Sequence, residues 1–331
     1  MIASPGGRSR SQRLSELFVM SFFSGVSRVF RMQSSKRKPH VQRLELHVTH
    51  ACNLTCESCS HYSNQGHRGN LDLKQAKRWM GAWSDRITVE EFYLLGGEPT
   101  IHPNLSKFVM LVRQHWPTAH IRIVTNGFFL YRHPELPSML AADGNADLAL
   151  SIHHDGADYT ERLRPIFDLV AVWQRDHGAT VHIWQSHQGW TRRYIGSGDT
   201  MLPFEDGRPR QSWEICPAKH CKQLYDGKLW KCPPLAYLGM QKAKFDLSEK
   251  WDPYLRYRPL DQGCTDSELD NFLALEDEPA CSMCSAERRR HPLPNPLPRS
   301  AQTRTSTINR TPMIDRHEAT TDAPLGPTRT A

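Results

Sequence analysis

From residue 41 onward, short stretches of alternating polarity are interleaved with longer amphipathic ones. Arg43-Leu44-Glu45-Leu46-His47-Val48 switches between polar and apolar residues with the period of two that a half-buried strand requires. Leu71-Asp72 offers a cap for a helix running through Trp83. The pattern then predicts a strand near 91–95, a helix near 105–116, a strand from His120 to Thr125 and a short helix near 135–142. A strand from Leu148 to Ile152, a helix near 158–174 and a strand from Thr180 to Trp184 complete the series. Strands alternating with helices predict a parallel α/β sheet, open or closed into a barrel. Residues 185–212 read as a loop, and Leu224 to Trp230 read as a hairpin around the Asp226-Gly227 turn.

The ends of the chain lack this periodicity. Residues 286–331 are rich in Arg, Pro and Thr and read as a disordered tail. Residues 1–40 surround an apolar run, Leu17 to Phe30, with Ser and Arg. Arg8, Arg10 and Arg13 before that run look signal-like, but Glu16 interrupts its start and no small-x-small cleavage site follows cleanly. The expectation is a disordered extension, or a chain whose true start is Met32. No apolar stretch is long enough to span a membrane, so no membrane partner is expected. The net charge of +7 resides at the two ends, while the middle of the chain is slightly acidic. A nucleic-acid-binding core is therefore not expected.

Nine cysteines fall in two groups, Cys52, Cys56 and Cys59, then Cys216, Cys221, Cys232, Cys264, Cys281 and Cys284. Tight gaps in a mid-sized chain point to metal or iron–sulfur ligation rather than a disulfide scaffold. Three thiolates on a compact loop can hold three irons of a cubane cluster and leave the fourth open. A structural zinc that borrows His61 or His67 is the rival reading of this loop.

The Cys52-x3-Cys56-x2-Cys59 loop resembles the signature of the radical S-adenosylmethionine (radical SAM) superfamily. Gly96-Gly97-Glu98-Pro99 ends the second predicted strand and resembles the superfamily's GGEP motif. Thr125-Asn126-Gly127 ends the third, and Ser151 with His153 ends the fourth. All lie at C-terminal strand ends, the edge where α/β sheets place active sites. The resemblance implies a partial (β/α)6 TIM-like barrel over 41–212, with a [4Fe–4S] cluster on Cys52, Cys56 and Cys59. It also implies that Gly96, Gly97, Glu98, Pro99, Thr125, Asn126 and Ser151 bind S-adenosylmethionine. His153 and Asp155 are candidate catalytic groups on this rim. Ser58 stands where the superfamily often has an aromatic residue against the adenine, which leaves His61 or Tyr62 for that contact.

Residues 213–285 resemble the twitch or SPASM extensions of such enzymes, in which cysteines flanking a hairpin bind an auxiliary [4Fe–4S] cluster. The spacing of Cys216, Cys232, Cys281 and Cys284 looks like that of an aminoglycoside-precursor dehydrogenase family. Cys221 is the alternative to Cys216, zinc is the alternative to a cluster, and Cys264 reads as an idle thiol. The resemblance implies reductive cleavage of S-adenosylmethionine to a 5′-deoxyadenosyl radical, a flavodoxin- or ferredoxin-type electron donor and a cytoplasmic setting. The substrate expected is a small polar molecule or sugar that is oxidised or epimerised. A maturase acting on a ribosomally made peptide and a non-catalytic, zinc-stabilised binding module are the alternatives. Arg288-Arg289-Arg290 reads as a solvated charge run.

Overall fold

A computed structural model of the protein describes residues 37–298. The expectations for residues 1–36 and 299–331 lie outside the described residues. Each strand of the predicted series forms. β1 (His40–His47), β2 (Thr88–Leu95), β3 (His120–Thr125), β4 (Ala146–Ser151) and β5 (Val181–Trp184) run parallel in consecutive order. The helices α1 (Leu73–Ser84), α2 (Leu105–His115), α3 (Leu136–Asp143) and α4 (Ala157–His177) link them. Asp72 caps α1 as expected, accepting from the backbone N–H of Lys74 at 2.9 Å and of Gln75 at 3.2 Å.

After a short helix α5 (Pro209–Glu214) the chain returns to the other edge of the sheet. There β6 (Cys221–Tyr225) pairs parallel with β1, and β7 (Lys228–Trp230) folds back antiparallel. The sheet order is therefore β5-β4-β3-β2-β1-β6-β7, open rather than closed. This is the partial barrel expected, with the sixth parallel strand supplied by the hairpin. Asp226 and Gly227 both take positive φ, 53° and 71°, as the tight Asp-Gly turn requires.

The alternation along the strands sorts the two faces. Leu44, Leu46 and Val48 join Phe92, Leu94, Ile121, Ile123, Leu148 and Leu150 in one apolar core with Met80, Trp83, Phe108, Val112, Leu163 and Trp173 of the helices. The opposite face is polar. Arg43 bonds Glu91 at 2.8 Å, Gln223 donates to Glu45 at 2.6 Å, and Arg122 forks onto Asp147 with two bonds of 2.6 Å. His120 at 2.9 Å and His182 at 3.1 Å also face the Asp147 carboxylate. A buried charge is tolerated only when paired and hydrogen-bonded, and this ladder meets that condition.

Helices α6 (Pro233–Lys244), α7 (Asp252–Leu255) and α8 (Asp266–Ala274) follow the hairpin. A second, smaller core gathers Tyr62, Tyr194, Met201, Leu235, Tyr237, Trp251 and Met283. Residues 286–298, read from the sequence as part of a disordered tail, are packed against the fold. Leu293 and Leu297 are buried in the main core, and the carbonyl of Pro296 accepts from the Thr55 N–H at 2.8 Å and hydroxyl at 3.0 Å. Two apolar side chains spaced among prolines give no periodic signal, yet they anchor this segment on the cysteine loop. Among the described residues no helix is long and apolar enough to cross a membrane.

Candidate functional site

A cavity of about 240 Å³ opens at the C-terminal ends of β1 to β5. Cys52, Cys56, Cys59, Gly96, Gly97, Glu98, Thr125, Asn126, Ser151 and His153 all line it. Pro99 does not: it is buried behind the wall, at the start of a short 3-10 turn, Pro99–Ile101. Trp184, Ser186 and Trp190 also line the cavity and went unrecognised as site residues in the sequence. Trp184 ends a short strand and Trp190 sits in a loop, so only the strand-end rule could have marked Trp184.

The two glycines are required by the protein's own backbone. A Cβ on Gly96 would lie 2.5 Å from the Thr49 carbonyl oxygen, and one on Gly97 would lie 2.1 Å from that of Ala51. The backbone N–H of Gly97 donates to Thr49 and that of Glu98 to Ala51, both at 2.8 Å. The end of β2 is thus laid flat against the entry to the cysteine loop, an approach that only glycine allows. Gly97→Ala is expected to push Cys52 out of place, destabilise the fold by about 1–3 kcal/mol and lower iron uptake. Gly239→Ala in α6, where a Cβ meets open space, serves as the control. Iron content after anaerobic reconstitution is the measurement, and equal loading of the two variants would refute the packing argument.

Glu98 is 1 % exposed and ties two strand ends together. Its Oε1 accepts from the Thr100 N–H at 3.0 Å and from the Thr100 and Thr125 hydroxyls, and its Oε2 accepts from the Asn126 N–H at 2.7 Å. Burial raises its pKa, opposed by those hydrogen bonds. Asn126 Nδ2 donates to Asn53 at 2.8 Å, which links the turn after β3 to the cysteine loop.

Within that loop, burial pushes the thiols of Cys52 and Cys56 up, with Glu98 and Cys59 adding to this at Cys52, and Cys59 and Cys52 adding to it at Cys56. For Cys59 burial acts the same way, but hydrogen bonding to His61 overcomes it and holds the thiol below its ordinary value. Burial alone would lower the His61 pKa, and Cys59 and Glu45 instead lift it to about 9. Two thiols that resist ionisation as free acids, beside a third whose ionisation His61 favours, are a donor set suited to a cation.

Of the candidates for the adenine contact, His61 lines the cavity. Tyr62 does not: it is 1 % exposed in the second core and donates to the Pro234 carbonyl at 3.2 Å. Ser58 is also buried, its hydroxyl oxygen accepting from the N–H groups of Arg193 at 2.6 Å and Tyr194 at 3.2 Å. His67 faces Gln241 at 2.5 Å and does not line the cavity.

Ser151 and Ser186 share a hydrogen bond of 2.6 Å. His153 has a buried Nδ1 without a partner and lies edge-on to Trp190, ring centres 5.7 Å apart. Burial, then His187, pushes its pKa down to about 4. Asp155 corrects the sequence reading. Its side chain is 82 % exposed, 3.8 Å from His187, and outside the cavity, because the backbone turns outward before α4.

The second cysteine group separates into four and two. Burial raises the pKa of Cys232, and Cys284, Cys216 and Cys281 raise it further. Cys284 is pushed up to about 12 by burial, then by Cys216 and Cys281, with Arg193 opposing. Cys221 belongs elsewhere. It faces the polar side of β6, where Arg43 Nη1 approaches its sulfur at 3.7 Å beside Glu45. Cys264 accepts from Arg86 at 3.2 Å, remote from both groups. Among the described residues, no three His, Cys, Asp or Glu side chains meet closely enough to hold a single metal ion. A cubane has irons at its corners, so its ligands stand around it instead of converging on a point.

A second cavity, about 480 Å³, adjoins the first, and Ser60, Trp184, Ser186 and Trp190 line both. Cys284 also lines it.

Residues 46–169, which contain the cysteine loop and every strand end from β1 to β4, match the family model described as the radical SAM superfamily. This segment is a radical SAM domain. Members of the superfamily hold a [4Fe–4S] cluster and use it with S-adenosylmethionine. A GTP 3′,8-cyclase of Photorhabdus laumondii subsp. laumondii is 29 % identical over 91 residues, 27 % of this chain and 28 % of that protein. The same enzyme of Cronobacter sakazakii is 31 % identical over 93 residues, again 27 % and 28 %. The chain therefore spans under a third of the length of the cyclases it matches. Among solved structures, SuiB of Streptococcus suis bound to S-adenosylmethionine overlaps 44 % of this chain and 33 % of its own, at 18 % identity and a TM-score of 0.36. BtrN in complex with AdoMet and 2-DOIA overlaps 77 % of this chain and 99 % of its own, at 18 % identity and a TM-score of 0.42.

Proposed function

We propose that the protein reductively cleaves S-adenosylmethionine and abstracts hydrogen from a small polar substrate, which it oxidises or epimerises. The observation that carries this reading is the convergence of three cysteines, the two glycines, Glu98, Thr125, Asn126 and Ser151 in one cavity of a radical SAM domain. Cys52, Cys56 and Cys59 would hold the first cluster, and Cys216, Cys232, Cys281 and Cys284 a second. When bound with the cofactor, the first cluster supplies the electron that splits the sulfonium into methionine and a 5′-deoxyadenosyl radical.

The chain's own groups bind and shield. Glu98 Oε2 accepts one internal hydrogen bond and keeps a lone pair for the cofactor's ammonium. Trp184 and Trp190 wall the cavity with flat apolar surface that excludes water from a radical. Ser151 and Ser186 are positioned to orient a substrate hydroxyl, and neutral His153 offers an unused ring nitrogen. Cys284, one of the four thiols, lines the second cavity, where a cluster held by them could take the electron left on an oxidised substrate. A flavodoxin- or ferredoxin-type donor and a cytoplasmic setting suit such oxygen-sensitive groups.

Full-length protein reconstituted without oxygen is expected to bind about eight irons, four for each cubane. With dithionite it is expected to release 5′-deoxyadenosine and methionine. Cys232→Ala should hold about four irons, and Cys221→Ala should match the wild type. A colourless protein that contains zinc alone would sink the reading.

A further inference from the structure

The second cavity has an unbalanced charge. Arg192, Arg193, Arg288 and Arg290 line it, opposed by a single carboxylate, Glu287. Two of these charges are already committed. Arg192 bonds Glu57 at 2.6 Å, and Glu287 is matched by Arg208 at 3.3 Å. Arg193, Arg288 and Arg290 have no carboxylate partner among the described residues, and of the three only Arg193 also faces the Cys284 thiol, whose pKa it lowers. Arg289, between two of them, turns away over the ring of Phe204, 5.0 Å from its centre.

The arrangement is built by backbone pairing. Thr191 bridges Arg290 in antiparallel fashion, and the Arg192 N–H donates to the Arg289 carbonyl at 3.1 Å. The loop after β5 and the segment after Cys284 are thus held side by side, which sets three guanidiniums around one opening. Unpaired cations gathered at a cavity cost self-repulsion unless a ligand of opposite sign enters. The cavity's volume, about 480 Å³, is that of a site for one small molecule. Its shared wall with the first cavity, Trp184 and Trp190, leads toward Ser151 and His153.

We propose that the substrate of this enzyme carries an anionic group, a carboxylate or a phosphate, which Arg193, Arg288 and Arg290 bind in the second cavity. The remainder of the molecule then reaches past the two tryptophans to the radical site. This rests on the function proposed above for the first cavity, and it narrows the substrate from polar to acidic. Arginine suits the task because its planar fork meets both oxyanions with paired hydrogen bonds.

The test is calorimetric titration of full-length, iron–sulfur-reconstituted protein under anaerobic conditions, with inorganic pyrophosphate in one arm and tricarballylate in the other. Saturable binding that weakens as salt rises is expected in at least one arm, and the tighter arm identifies the oxyanion. The double variant R288Q/R290Q, both exposed positions, and the single variant R193Q should each weaken that binding by about tenfold or more. R175Q, on the outer surface of α4, should bind as the wild type does. Saturation in neither arm, or equal affinity in wild type and R288Q/R290Q, overturns the proposal. The two readings fail separately. A chain that forms 5′-deoxyadenosine but binds neither anion disproves the acidic substrate alone, whereas a chain that binds pyrophosphate but forms no 5′-deoxyadenosine disproves the radical chemistry.

Discussion

Cys56→Ala is expected to reduce 5′-deoxyadenosine formation to background. Cys56 is the most enclosed of the three loop thiols, 6 % exposed, and burial together with Cys59 and Cys52 pushes its pKa well up. Such a thiol ionises only against a cation, and two remaining thiolates cannot hold three corners of a cubane. Chromatographic assay after anaerobic reduction is the measurement, with iron content as the companion readout. Cys264→Ala, at a thiol bonded only to Arg86, should retain full yield. Undiminished product from Cys56→Ala would show that the loop does not carry the cluster.

Asp147→Asn is expected to destabilise the protein by about 3–5 kcal/mol, roughly 10 °C in midpoint, because it breaks a buried pair and strands the other partner. Asp147 is 3 % exposed and Arg122 16 %, and the fork between them sits among His120 and His182. The effect should also reach the cavity, since the Arg122 guanidinium lies 5.4 Å from the ring centre of Trp184. Burial alone would raise the Asp147 pKa, but hydrogen bonds from Arg122 and His120 hold it down at about 2. Its value in the unfolded chain is near 3.9, so ionised Asp147 contributes about 2.5 kcal/mol above that pH. That contribution is lost as pH falls from about 4 toward 2. His120 has the opposite sign. Its pKa is raised, first by Asp147, so its contribution is complete below about 6.5 and fades as pH rises through the raised value. Thermal unfolding followed by circular dichroism from pH 3 to 8 tests both. A variant whose midpoint parallels the wild type throughout would show that the ladder carries no net stability.

Much of this architecture is local and therefore legible from sequence. Alternation in β1, the Asp72 cap and the Asp226-Gly227 turn each depend on neighbours a few residues away, and all three form as read. The order of strand ends followed too, because parallel strands joined by short helices bring successive C-termini to one rim. Helices α6, α7 and α8 were missed: prolines open α6 and α7, and α7 and α8 are too short to show a helical period, although the Thr265–Glu268 capping box marks the start of α8.

The sequence by itself determined the alternating α/β order and the residues gathered on the rim, because strand period and turn chemistry act within a few positions. Tertiary structure alone decided the rest. It set β6 beside β1, turned Cys221 toward Arg43 and away from Cys216, Cys232, Cys281 and Cys284, and turned Asp155 out to solvent. It also revealed that the paired glycines answer to Thr49 and Ala51, and that Arg193, Arg288 and Arg290 share one cavity. These outcomes join segments as many as 178 residues apart, as Arg43 and Cys221 are, and what fixes them is packing and charge pairing in three dimensions, for which spacing along a chain carries no signal.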